Sequence, residues 1–347
     1  MNEMKSLADV DKIQISGDRK SFSATHEEIV NGLTTDVYFL RTLDILNELD
    51  LADAEVVAEI FPRKPGVFVG LKEVLALLDG KNLQIDAIPE GESFVEKDTV
   101  IRIKGKYRDF AIFETTMLGI LASSSGWATA SKEIKEACGD KFFLCFGARH
   151  VHPAVAPVME RAAVIGGAGG ASCILAALLS GIKPSGTVPH SAMLIAGDTL
   201  TVAKKYDEIA DADHNRIVLI DTFKDEVEEA LRIARALDGK LYGVRLDTPS
   251  ERGGVTPGLV REMRAKLDVE GFSEVKIFVS GGLYPEKIRL LSEAGADSFG
   301  VGSYISAASP IDMTMDIKVV NGKPVAKRGR IPGMVENPKL QRVQELK

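Results

Sequence analysis

An α/β chain, with a βα barrel following a smaller α+β domain, is the architecture this sequence of 347 residues predicts. Three observations carry the prediction. From Lys141 to Ser303, apolar strand candidates alternate with amphipathic helical stretches. The strand candidates are apolar on both faces, as parallel strands are when helices cover them. The βα units recur every ~25 to 30 residues, which favours a closed barrel over a doubly wound sheet.

In chain order, residues 56–61 (VVAEIF) and 66–70 (GVFVG) read as short strands, followed by a helical stretch over 72–80. Residues 83–105 hold two further strands broken by the turn-like PEGE and EKD, and DTVIRIKG alternates as a half-buried strand does. Ile112 to Cys138 has helical periodicity and links the two parts. The barrel strands are then 142–148, 216–222, 241–248, 275–282 and 297–303, with helices over 225–240 and 257–271. After Ser309 one strand pair turns at Asn321-Gly322, and a polar end follows.

Composition narrows the function classes. Apolar residues make up 45% and charged residues 27%, an ordinary globular balance that can bury a large core. Cys138, Cys145 and Cys173 form no CxxC pair and have no neighbouring histidine, so neither a zinc site nor a disulfide framework is expected. The first residues lack a signal pattern and no apolar run approaches ~18 residues. A cytoplasmic, reducing location without membrane contact follows as the expectation. A net charge of −7 argues against nucleic acid as a partner, though not against a small anion.

In βα barrels the reactive groups gather where strands run into their following loops. The ends here are Phe146-Gly147-Ala148-Arg149-His150-Val151-His152, Gly186-Thr187-Val188-Pro189-His190, Asp221-Thr222, Arg245-Leu246-Asp247-Thr248, Ser280-Gly281-Gly282 and Gly300-Val301-Gly302-Ser303. Six polar ends at a core boundary are costly unless they serve a ligand. The two glycine loops after the last strands suit a phosphate, although glycines also permit close packing. Asp221 and Asp247 could bind ribose hydroxyls or hold Mg2+ against a pyrophosphate, or Asp247 could simply pair with Arg245, which lies two residues away on the same strand face. His190 could act as acid, base or nucleophile. His150 and His152 make only a weak metal pair, having no carboxylate close in sequence.

Taken together, TTDVYFLRT (34–42), FGARHVHP (146–153), GTVPHS (186–191), IDTF (220–223), VRLD (244–247), VSGGL (279–283) and FGVGS (299–303) resemble the nicotinate phosphoribosyltransferases, and more broadly the type II phosphoribosyltransferases. The resemblance runs from about Thr34 to Ser306. It implies a domain over 1–120, a barrel over 121–308 and a segment over 309–347 that returns to the first domain. It also implies a homodimer with shared active sites. Tyr38 of one subunit would stack on the pyridine ring, with Phe146 of the other on its opposite face. Arg149 and Arg245 would meet carboxylate or phosphate groups, Thr187 would bind substrate, Asp247 the ribose, and Asp221 with Asp247 a Mg2+ ion. Ser280, Gly281, Gly282, Gly300, Gly302 and Ser303 would hold the 5′-phosphate, and ATP would phosphorylate His190.

The expected reaction is attack of the nicotinate nitrogen on C1 of phosphoribosyl pyrophosphate, giving nicotinate mononucleotide for NAD synthesis. Ser172 stands where nicotinamide-using relatives place an aspartate, and as a donor to a carboxylate it favours nicotinate. Quinolinate phosphoribosyl transfer is the runner-up, set second because two carboxylates need several basic groups and only Arg149 and Arg245 are firm. A non-catalytic barrel that binds phosphorylated ligands needs neither the acidic pair nor the histidine. An aldolase-like or isomerase barrel predicts a lysine at a strand end, and these ends carry none. Two features depart from the resemblance: the tail has no cysteine-rich zinc module, and 146–153 is unusually rich in histidine.

Overall fold

The computed structural model describes residues 3–211 and 215–346. Contacts divide the chain into two units, one running to Thr129 and resuming at Ser309, the other spanning Ala130–Ala308.

The first unit is built on a six-stranded sheet whose pairs are all antiparallel. Its order is Lys323–Pro324, Met313–Val320, Glu55–Pro62, Ile101–Lys106, Leu83–Ala87 and Gln341–Gln344. Ile101–Lys106 and Leu83–Ala87 alternate buried and accessible positions, as their sequence pattern requires. Helix Leu71–Leu77 adds Val74 to a core containing Ile60, Phe68, Phe110 and Phe113. Asn321 and Gly322 adopt positive φ (46° and 77°), so the predicted Asn-Gly turn is present. The polar tail does more than the sequence suggested: Gln341–Gln344 adds an edge strand to Leu83–Ala87. Its pattern is almost wholly exposed, so hydrophobic alternation could not reveal it.

Helix Glu114–Cys138, predicted over 112–138, contains the boundary between the units.

The second unit has six strands, all parallel, in the order Gly170–Ala171, Phe142–Cys145, Ser298–Val301, Lys276–Ser280, Gly243–Leu246 and Ile217–Leu219. The first strand of the unit, Phe142–Cys145, pairs with the last, Ser298–Val301, which closes the sequence order cyclically as a barrel does and a doubly wound sheet does not. Closure is incomplete. Among the described residues, no strand ladder joins Gly170–Ala171 to Ile217–Leu219. The segment beside the first of these edges reads IKPSGTVP, and only Ser185 N–H reaches the Ala171 carbonyl (3.1 Å). Pro184 and Pro189 have no N–H to donate, which leaves this segment with fewer ladder donors. Helices Glu226–Leu237 and Pro257–Val269 begin at side-chain caps from Asp225 and Thr256, and match the amphipathic stretches read from the sequence.

Candidate active site

Strand periodicity sets the inward-facing positions. Residues two apart share a face, so Leu219 lies with Asp221, Arg245 with Asp247, Phe278 with Ser280, Gly300 with Gly302 and Leu144 with Phe146. Asp221, Arg245, Asp247 and Ser280, at the C-terminal ends of three neighbouring strands, carry the chemistry.

Arg245 is the hub. Its Nε donates to Ser280 Oγ (2.9 Å), one terminal nitrogen to Thr187 Oγ1 (2.8 Å) and the other to Asp247 Oδ2 (3.1 Å). Its guanidinium also lies 5.2 Å from the centroid of the Phe146 ring. Burial lowers the Arg245 pKa, and Asp247 and Asp221 oppose that shift. Ser280 Oγ in turn donates to Asp247 Oδ1 (2.8 Å).

Asp221 links two further elements. One oxygen accepts from His190 Nε2 (3.0 Å) and the other from the Asp247 backbone N–H (2.6 Å). Its side chain is 1% exposed, and burial raises its pKa. His190 begins helix His190–Ala196 after Pro189, and 38% of its side chain is exposed. The next hydroxyl, Thr222 Oγ1, is buried without a partner among the described residues.

The glycines are accounted for unequally. Gly281 (φ 90°) and Gly282 (φ 58°) hold left-handed conformations that turn the chain off its strand, and a Cβ on Gly281 would stand 3.1 Å from Asp247 Oδ1. A Cβ on Gly300 would stand 2.5 Å from the Phe146 ring, and one on Gly302 would stand 2.7 Å from the His150 ring. Close packing of the chain's own side chains therefore explains these two without a ligand. Ser303 opens the short helix Ser303–Ser306.

The loop after Phe142–Cys145 places Arg149 in an exposed turn, its Nε 3.4 Å from His150 Nε2. His150 Nδ1 meets Ser306 Oγ (3.2 Å), and burial together with Arg149 lowers its pKa. Neither His150 nor His152 belongs to a metal-binding cluster of three or more groups among the described residues. The Ser172 hydroxyl donates to Glu160 Oε1 (3.0 Å). Glu160 escaped the sequence reading, its only signal being one acid among the apolar residues of helix Ala156–Ile165. Tyr38 belongs to the first unit, in helix Val37–Glu48, where it is 52% exposed.

Known proteins resemble most of the chain. The profile described as quinolinate phosphoribosyl transferase, N-terminal domain, matches residues 36–125, and that of the C-terminal domain matches 127–316. A nicotinate-nucleotide pyrophosphorylase from Pyrococcus furiosus superposes with a TM-score of 0.87 at 45% identity, over 91% of this chain and 82% of that one. A nicotinate phosphoribosyltransferase of Bacillus subtilis is 30% identical over 64% of this chain and 45% of its own length. One from Mycobacterium tuberculosis is 29% identical over 70% and 55%. The chain thus spans about half the length of these curated relatives.

These findings overturn the expectation of a nicotinate phosphoribosyltransferase. The 45%-identical structure is named a nicotinate-nucleotide pyrophosphorylase, whereas the nicotinate enzymes reach only 30%. Ser172, read from the sequence as a donor to nicotinate, has its hydroxyl on Glu160 Oε1. With a parallel βα unit, an Arg245-centred strand-end network and both domain profiles in place, the chain belongs to the quinolinate phosphoribosyl transferase family of type II phosphoribosyltransferases.

Proposed function

We propose that the protein transfers phosphoribosyl to quinolinate, forming nicotinate mononucleotide, pyrophosphate and CO2. The observation that carries this reading is the 45% identity, over 91% of the chain, to a nicotinate-nucleotide pyrophosphorylase. In the reaction the pyridine nitrogen bonds to C1 of the ribose as the C1–O bond to pyrophosphate breaks. The C2 carboxylate then leaves as CO2, its electron pair stays on C2, and a solvent proton replaces it.

Little proton transfer is needed before C–N bond formation, so positioning and charge stabilisation dominate. Asp247, fixed by Arg245 and Ser280, is proposed to bind the ribose hydroxyls. Gly281, Gly282, Gly300, Gly302 and Ser303 are proposed to approach the 5′-phosphate, and Thr187 to share Arg245 with it. Arg149 is exposed and is proposed to meet a pyridine carboxylate. Phe146 and Tyr38 are proposed as ring-stacking faces in a homodimer.

Mg2+ fits Asp247, whose oxygens each keep a lone pair after accepting one hydrogen bond and whose side chain is 19% exposed. When bound, the ion neutralises charge on the departing pyrophosphate. Asp221 is nearly inaccessible, at 1% exposed, so we assign it the positioning of His190 and the Asp247 backbone. Phosphorylation of His190 by ATP is a separate proposal, supported by the exposure of the ring and tested by phosphoryl transfer from γ-labelled ATP. A cytoplasmic location is proposed from the three free cysteines, and no helix among the described residues is long and apolar enough to cross a membrane.

The test is turnover with phosphoribosyl pyrophosphate, Mg2+ and either quinolinate, nicotinate or nicotinamide, following mononucleotide and CO2 from carboxyl-labelled quinolinate. Equal amounts of CO2 and mononucleotide from quinolinate are expected. Mononucleotide from nicotinate with none from quinolinate would sink the proposal, and no turnover with any base would leave a phosphate-binding barrel.

A further inference from the structure

We propose that Glu160 is a positioning residue for the pyridine side of the site, holding together the turn that carries Arg149 and the strand end at Ser172. This deepens the proposed transfer to quinolinate and rests on it.

Glu160 lies in helix Ala156–Ile165 among Ala156, Met159, Ala162 and Ala163, and it is fully buried. An acid in such surroundings is retained only where hydrogen bonds compensate its desolvation. Three donors do so. Oε1 accepts from the Ala148 N–H (3.0 Å) and from Ser172 Oγ (3.0 Å), and Oε2 accepts from the Cys173 N–H (2.6 Å). They come from two different strand-end loops, those following Phe142–Cys145 and Gly170–Ala171.

The consequence falls on Arg149. Its turn, Ala148–His150, is fixed at one end by Glu160 through Ala148 and at the other by Ser306 through His150. Gly147, just before it, packs so closely on the same helix that a Cβ would stand 2.5 Å from Met159 Cε. Because Ser172 spends its proton on Glu160, it presents only lone pairs elsewhere and cannot donate to a pyridine carboxylate. Recognition of that carboxylate passes to Arg149, at the position the Glu160 carboxylate sets.

Glu160→Gln keeps the volume but turns an NH2 group toward groups that are all donors, so at least one hydrogen bond is lost. The KM for quinolinate is expected to rise about tenfold or more, by analogy with loss of other orienting partners, while the KM for phosphoribosyl pyrophosphate stays within about twofold. A readout independent of activity is the Cys173 thiol, which is partly accessible while Cys138 and Cys145 are buried. Its labelling by 5,5′-dithiobis(2-nitrobenzoate) is expected to quicken about tenfold in the variant, the other two thiols staying protected. If all three thiols become reactive together, Glu160 serves the fold as a whole and the proposal fails. It fails equally if thiol labelling and both KM values are unchanged. Should Glu160→Gln not fold, Glu160→Asp, which keeps the charge but withdraws it by one methylene, must show the same split. A wild-type protein inactive on quinolinate would sink the functional reading, leaving the thiol rates to judge Glu160.

Discussion

Asp221 receives the backbone N–H of Asp247 at 2.6 Å, so two neighbouring strand ends are locked together by a carboxylate whose other oxygen receives His190. The two acids that the sequence offers as equals hold different positions: Asp221 is a buried strut, and Asp247 faces the site through side-chain bonds to Arg245 and Ser280.

His190→Ala and Asp221→Asn should each lower kcat/KM by about two orders of magnitude, the usual scale for a positioned histidine. The double variant should cost little more than either alone, because one unit is being removed. Additive losses in steady-state kinetics would show that the two act separately.

Arg245→Lys should be far from conservative. A lysine keeps the charge but cannot reach Thr187, Ser280 and Asp247 from one planar fork. A loss of about a hundredfold in kcat/KM is expected, corresponding to about 3 kcal/mol of transition-state stabilisation. Retention of more than about half the activity would remove Arg245 from the centre of the site.

Gly300→Ala should destabilise the fold by about 1–3 kcal/mol, since its methyl would meet the Phe146 and Phe278 rings. Gly282→Ala, where the surroundings are open, should suffer only from its positive φ, by about 1–2 kcal/mol. Urea denaturation of the two variants distinguishes crowding from backbone strain, and relief of the first by Phe146→Leu would identify the clash.

Stability should fall with pH because of Glu114. Burial, with Asp316 as a second cause, raises its pKa to about 7, above the ordinary 4.5, and Lys327 opposes the shift. The folded protein therefore holds this proton more tightly than the unfolded chain. The associated stability is fully present below about pH 4.5 and is lost as pH rises through about 7. Chemical denaturation at pH 4.5 and pH 8 should show a difference on the order of 2 kcal/mol that Glu114→Gln removes. An unchanged pH dependence in that variant would assign the effect elsewhere.

Residues 225–240 and 257–271 were legible as helices because a 3.6-residue apolar stripe and an N-cap are local properties. The strand ends were legible for the same reason, and Arg245 and Asp247 meet as strand parity requires. Gln341–Gln344 was not, since an exposed edge strand has no buried face to create a pattern. The bond of Ser172 to Glu160 was not legible, because Glu160 lies twelve residues away on helix Ala156–Ile165.

The sequence by itself determined the alternation of strands and helices and the shared strand face of Arg245 and Asp247. Each depends on backbone geometry that a short segment carries with it. Only the tertiary structure decided that Ser172 donates to Glu160, that Asp221 is buried while Asp247 is accessible, and that Gly300 and Gly302 make room for Phe146 and His150. These depend on which distant side chains compete for the same space and the same proton, and that competition exists only once the chain has packed.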